Sequence, residues 1–248
     1  MCAIFTGNNL IELDEVESTN SFLTQLSSEI KLADGTAVIA KHQSAGKGQR
    51  GNVWVAQKDQ NLTFSIIYFP PNANINKQFL LTQAISLGVY DYLISKCKNV
   101  SIKWPNDLHI ENKKIGGMLI ENSIKAELLS HSIIGIGLNI NQENFEGHNN
   151  IATSLKLQNN ITYNIKDELL ILFSCIERRY LQWLNNNFNQ LKEQYLNAMY
   201  LYKNWHQFTM PNGEKLNGKI IGIEEGGHLI IHDEHDYFHR FDNKEIIF

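Results

Sequence analysis

The stretch Ser101-Ile102-Lys103-Trp104-Pro105-Asn106-Asp107, with Asn112-Lys113-Lys114-Ile115-Gly116-Gly117-Met118-Leu119-Ile120-Glu121 close behind it, decides the fold. Residues 100–103, 107–110 and 115–121 read as three short strands. The Trp104-Pro105 pair holds an extended backbone beside polar groups, and Glu111-Asn112-Lys113-Lys114 reads as the turn joining the last two strands. Taken singly, Lys103 and Asp107 could be an ordinary ion pair. Asn106 and Asp107 could be turn formers, and the two lysines a charged hairpin. The chemical alternative is a cation, held at a strand edge before two glycines, that stabilises charge on a carboxylate or phosphoryl oxygen.

Toward the N-terminus, residues 61–69 (NLTFSIIYF) and 36–42 (TAVIAKH) read as strands. Between them lies Lys41-His42-Gln43-Ser44-Ala45-Gly46-Lys47-Gly48-Gln49-Arg50-Gly51-Asn52-Val53-Trp54, with three glycines in six residues and no acid before Asp59. Freed backbone N–H groups beside cations suit a phosphate or adenylate. A mobile, solvated basic loop has the same composition, and the spacing is not that of a P-loop. Ser18, Thr19 and Asn20 stand as a cap before Phe22, Leu23, Leu26 and Ile30 at helical spacing.

Toward the C-terminus, residues 128–140 form another strand, in which Gly135 and Gly137 would let a ligand lie close or else mark a packed or bulged strand. Residues 78–96, 166–183 and 188–200 carry helical apolar spacing. From Trp205 onward the chain holds only short β runs (GKIIGI, HLII, YFHRF, EIIF) separated by turns. Such spacing predicts a small β-barrel, with a domain boundary near Lys203. That segment holds His206, His228, His232, His235 and His239; strand and turn histidines mostly face solvent, so no metal is expected there.

The 248 residues suit a medium domain plus a small appendage. A formal net charge of −4 offers no bulk attraction to nucleic acid. Cys2, Cys97 and Cys175 are scattered and odd in number, which points away from a disulfide framework and toward a reducing cytosol. No secretory start and no bilayer-length apolar run is present, so a cytoplasmic, non-membrane protein is expected. An exposed sheet edge could pair two subunits into a homodimer.

In order, Glu17-Ser18-Thr19-Asn20, His42-Gln43-x-Ala45-Gly46-x-Gly48, Lys103-Trp104-Pro105-Asn106-Asp107, Lys114-Ile115-Gly116-Gly117 and Gly135-Ile136-Gly137-Leu138-Asn139 resemble the biotin–protein ligase family over essentially the whole chain. The resemblance implies an α+β fold, a mixed β-sheet flanked by helices in the class II synthetase-like biotin/lipoate ligase manner, over residues 1–203. Residues 204–248 would form a small SH3-like β-barrel. It implies an ATP-dependent ligase, AMP- and pyrophosphate-forming, that makes biotinyl-5′-AMP with Mg²⁺ and passes biotin to a lysine of a biotin carboxyl carrier protein.

By the same resemblance, Ser18, Thr19, Asn20, Gln43, Gly46, Lys47, Gly117, Gly135 and Gly137 would bind biotin. Lys47, Gln49, Arg50, Asn52, Trp54, Asn106 and Asn139 would hold ATP or the adenylate. Lys114 would reach both the biotin carboxylate and the α-phosphate, with Lys103 adding charge. For the second step we expect Asp107 to take the proton of the attacking amine. The loop departs from the family pattern: Lys47, Gln49 and Asn52 stand where many members have arginine. Lysine loses the planar fork and Gln49 loses the charge, so Arg50, one place over, is expected to substitute. With Ser18-Thr19-Asn20 so near the start, no repressor-type DNA-binding domain is expected. Two alternatives stand beside this reading. A lipoate–protein ligase shares the chemistry, but its Arg-Arg-x-x-Gly-Gly-Gly stretch is absent. A non-catalytic sensor of biotin or nucleotide would not need Lys114, Asn106 and Asn139 intact.

Overall fold

The computed structural model describes residues 3–148 and 151–248, with the side chain of Arg50 outside that description. Eleven strands and five α-helices are assigned among these residues. Strand β1 (Leu10–Val16) is parallel to β2 (Ala37–Gln43), and helix α1 (Thr19–Glu29) connects them. The remaining strands of the main sheet are β3 (Leu62–Tyr68), β4 (Val100–Lys103), β5 (Asp107–Ile110), β6 (Lys113–Lys125) and β7 (Leu128–Leu138). They pair antiparallel, and the sheet order is β1-β2-β3-β7-β6-β5-β4. This is the mixed, helix-flanked sheet that the resemblance implies.

Strand alternation assigns each face its cover. Phe64, Ile66 and Tyr68 of β3 join the core formed with α2 (Gln78–Ile94) and α4 (Ile165–Leu184), where Phe64 meets Phe173 edge-on. Ile67, Val38 and Ile133 point the other way and pack on Leu23 of α1. Covered on both faces, β3 is buried along its whole length. Helices α3 (Leu155–Asn159) and α5 (Phe188–Ala198) complete the layer.

Strand β1, helix α3 and the strand Trp205–Thr209 stand where the sequence-based expectation has no element, and the β5–β6 hairpin differs in its bounds. The turn between β5 and β6 is only Glu111-Asn112, with Glu111 in the left-handed region, so Lys113 and Lys114 already belong to the strand. Strand β6 is also thirteen residues long. Its polar half stays paired because Asn122 and Ser123 lie opposite Ser132 and His131, and the Ser132 hydroxyl donates to Asn122 Oδ1 at 2.7 Å. Ala126 and Glu127, both at positive φ, close the β6–β7 hairpin, as a two-residue primed turn requires.

The last strands, β8 (Trp205–Thr209), β9 (Lys215–Ile223), β10 (Leu229–Asp233) and β11 (Phe238–Phe241), form a separate antiparallel sheet in the order β11-β10-β9-β8. Beyond β11 the chain returns, and Thr209 and Ile247 exchange backbone hydrogen bonds of 2.9 and 2.7 Å. The buried side chains Phe208, Leu216, Ile220, Leu229 and Ile231 are continuous with the apolar core of the main sheet. Among the described residues, no helix is long and apolar enough to cross a membrane.

Candidate active site

A cavity of about 460 Å³ opens on the α1 side of the main sheet. Its floor follows from strand register. Thr63 pairs with Gly137, Gly137 with Gly117, Gly117 with Asp107, and Asp107 with Lys103. These five residues therefore form one lateral row across β3, β7, β6, β5 and β4. The row is polar at its ends and bare in the middle, which leaves a trough over the two central strands. Ser65, Gly135 and Leu119 form the next row.

Lys114 reaches this floor through a local irregularity. Positions 114 and 117 are three apart, and in a regular strand they would face opposite sides. The register shift between Leu108 and His109 makes Ile115 an extra residue, since Leu108 pairs with Gly116 but His109 with Lys114. This bulge returns Lys114 to the cavity face while Ile115 enters the core. Lys114 Nζ then lies 2.7 Å from Asp107 Oδ1, both side chains about one-third exposed. A Cβ at position 117 would sit 2.9 Å from Asp107 Oδ1 and 3.3 Å from Lys114 Nζ, so glycine there leaves room for the pair. The backbone of Lys114 is pinned by Ile151 O and by the Thr153 N–H, at 2.8 and 2.9 Å.

The turn from Trp104 to Asn106 is held from three sides. Trp104 Nε1 donates to Gly227 O at 2.9 Å, and Tyr195 Oη donates to Pro105 O at 2.8 Å. The buried Asn106 amide donates to Met118 O. Lys103 lies 5.1 Å from the Phe248 ring centroid, and burial pulls its pKa below the ordinary lysine value. His109, on the same face of β5 as Asp107, is buried with Nδ1 unpartnered among the described residues. Burial, then the nearby Lys103, lowers its pKa to about 4.

At the other end, the start of α1 carries the polar cluster. Ser18 caps the helix by accepting from Ser21 N–H. Gln43 Oε1 accepts from Thr19 N–H at 2.7 Å and from its hydroxyl at 3.0 Å. The Ser65 hydroxyl lies 2.7 Å from Thr19 Oγ1 and 2.6 Å from Asn20 Oδ1. Asn20 Nδ2 in turn donates to Glu121 at 2.7 Å. These bonds fix which way each amide faces before any ligand enters.

The glycine-rich loop closes on itself: Trp54 N–H donates to Gly46 O at 2.9 Å, and Gly48 N–H to Asn52 O at 2.7 Å. A single 3-10 turn, Gln49–Gly51, forms its tip. The Trp54 indole lies directly on Gly137, in the space that a side chain there would take. Its Nε1 is buried and unpartnered among the described residues.

The cavity therefore gathers Ser18, Thr19, Asn20 and Gln43 with Lys47, Gln49, Asn52 and Trp54, and with Lys103, Asn106, Asp107, Lys114, Gly117, Gly135 and Gly137. Gly46 and Asn139 do not line it. Asn139 is a buried strut whose amide donates to Thr153 O at 2.9 Å, supporting the segment that pins Lys114. The Arg50 side chain lies outside the described residues. Sequence reasoning missed Thr63, Ser65 and residues 243, 244 and 246–248, although all but Ser65 line the cavity. Nothing in the C-terminal β runs pointed to a site. The C-terminal histidines do not converge: His232 bonds Asp236 at 2.6 Å, and His239 bonds Asp233 at 2.7 Å.

Residues 13–139 match the Biotin/lipoate A/B protein ligase family. The bifunctional ligase/repressor BirA of Bacillus spizizenii is 30% identical over 232 residues, covering 91% of this chain and 70% of that protein. The chain belongs to the biotin/lipoate A/B protein ligase family. Within that class the likeness runs to biotin ligases. The biotin--[acetyl-CoA-carboxylase] ligase of Mycobacterium tuberculosis is 26% identical, over 92% of this chain and 86% of that one. The structure of the Aquifex aeolicus biotin protein ligase, in complex with biotin and ATP, matches with a TM-score of 0.78 and 28% identity, over 97% of this chain and 98% of that one.

Proposed function

We propose that this protein is a biotin–protein ligase that forms biotinyl-5′-AMP from biotin and ATP and transfers biotin to a lysine of a carboxylase carrier domain. The observation that carries this is the Lys114–Asp107 pair above the glycine trough of a cavity with polar ends. The membership of its family and the likeness to biotin ligases support it.

A carboxylate is a poor acyl donor because oxide would have to leave. In the first half-reaction a biotin carboxylate oxygen bonds to the α-phosphorus of ATP, and the bond to pyrophosphate breaks. Two anions must meet, and Lys114, with Lys103 behind it, offsets their repulsion. The start of α1 with Gln43 binds the ureido end, and the loop with Trp54 covers the nucleotide. Asp107 is the one side-chain carboxylate among the described lining residues and is already paired with Lys114, so the donor set fits a Mg²⁺ carried mainly by phosphates. When bound, that ion neutralises phosphate charge.

In the second half-reaction the carrier amine bonds to the acyl carbon and AMP leaves. A lysine with a reference pKa of about 10.4 is almost wholly protonated near neutrality. Asp107 takes a proton from that ammonium and leaves the neutral amine that attacks. Incubation with ATP, Mg²⁺, biotin and an apo carrier domain tests the reading. Pyrophosphate release with biotin on the carrier is expected. Labelling by lipoate but not biotin would move the assignment to the sister activity, and binding without pyrophosphate release would reduce it to a sensor.

A further inference from the structure

Two segments far apart in sequence both line the cavity, the loop around Gln49 and, near the other end of the chain, residues 243, 244 and 246–248. A polar contact joins them: Asn243 Nδ2 donates to Gln49 Oε1 at 2.6 Å. Each amide is presented by a stiff turn. Gln49 sits at the tip of the self-closed loop, in the 3-10 turn. Asn243 sits in a turn where Asp242 N–H donates to Glu245 Oε2 at 2.7 Å and Asn243 N–H to Asp242 Oδ1 at 2.6 Å. The Thr209–Ile247 backbone pair ties that turn to β8.

Val53 and Val55 are 69% and 77% exposed, and the Trp54 indole between them is the loop's apolar anchor on the sheet. The residue at position 49 also acquires a reason. The resemblance leads one to expect arginine there, yet a guanidinium has no acceptor atom. Glutamine supplies the oxygen that Asn243 uses.

We infer that Gln49 and Asn243 form a latch that holds the glycine-rich loop against the C-terminal sheet and slows escape of the acyl adenylate between the two half-reactions. This rests on the proposed adenylate-forming activity. Both residues are positioning residues: they act through the loop and not on the reacting atoms.

The test separates formation from retention. The full chain is loaded with biotin, ATP and Mg²⁺, stripped of free ligand by rapid gel filtration, and followed for loss of bound adenylate without acceptor. Asn243→Ala and Gln49→Met should each speed that loss about fivefold, the size of one neutral hydrogen bond. Asn243→Leu, close in shape and lacking the amide, should match Asn243→Ala. The double variant should lose adenylate no faster than the worse single one, because both remove the same contact. Unchanged loss in the single variants, or effects that multiply in the double, would overturn the latch. Absence of pyrophosphate release from the unaltered protein would overturn the functional reading itself, and the latch with it.

Discussion

Lys114 Nζ and Asp107 Oδ1 are 2.7 Å apart because a single extra residue, Ile115, turns the lysine onto the aspartate's face of the sheet. The pair occupies space that glycine at 117 leaves open. Gly117→Ala should therefore displace one partner by a fraction of an ångström without disturbing the core below. Adenylate formation, followed as pyrophosphate release, is expected to fall about 10- to 100-fold, as misplacement on that scale does to an oriented group. Unaltered kinetics would show that the pair does not need its present geometry.

Asp107 is assigned to the second step. Asp107→Asn should slow biotin transfer to the carrier more than adenylate formation, with a loss of about 100-fold or more in transfer. Single-turnover measurement of each half-reaction checks this. Equal losses in both would mean that Asp107 serves only to orient Lys114.

The Trp54 indole covers the glycine at 137, where the family resemblance leads one to expect biotin. A ligand seated there must shift the ring out of its buried position. Addition of biotin should change tryptophan emission in the unaltered protein and leave it nearly flat in Trp54→Phe, where Trp104, Trp183 and Trp205 remain. An equal change in the variant would assign the signal to another tryptophan.

His109 should make the fold acid-sensitive. Burial, with Lys103 nearby, lowers its folded pKa from 6.5 to about 4. Between those values the unfolded chain binds the proton and the folded one does not, so stability falls as pH drops from about 6.5 toward 4. His131, lowered by burial, acts in the same direction. The melting temperature of His109→Phe should fall less over that range than that of the unaltered protein. Parallel curves would place the sensitivity elsewhere.

Much of this was legible in the chain because the determinants are local. Ser18 before Phe22 and Leu23 announces a capped helix, and the apolar run 61–69 announces a buried strand. The order of the short motifs pointed to the chemistry. What stayed hidden depends on register. Strand β1 alternates apolar and acidic residues weakly, and it is settled by its parallel partner β2. Ser65 reads as one more strand residue until β3 is set beside Gly135 and under Asn20. Nor could spacing reveal the bulge at Ile115, because it exists only relative to β5. Residues 243, 244 and 246–248 come to the cavity because Ile247 pairs with Thr209 of β8, a strand absent from the β runs read in the sequence.

The hydrogen bond from the Trp104 indole to Gly227 O crosses between the two sheets. It makes the β9–β10 corner part of the scaffold of the Trp104–Asn106 turn. The C-terminal sheet is therefore a poor unit for transplantation. A chimaera that takes this segment from another ligase inherits a foreign corner beneath Trp104, and recombination points inside β4–β5 would split a joint whose halves are fitted to each other.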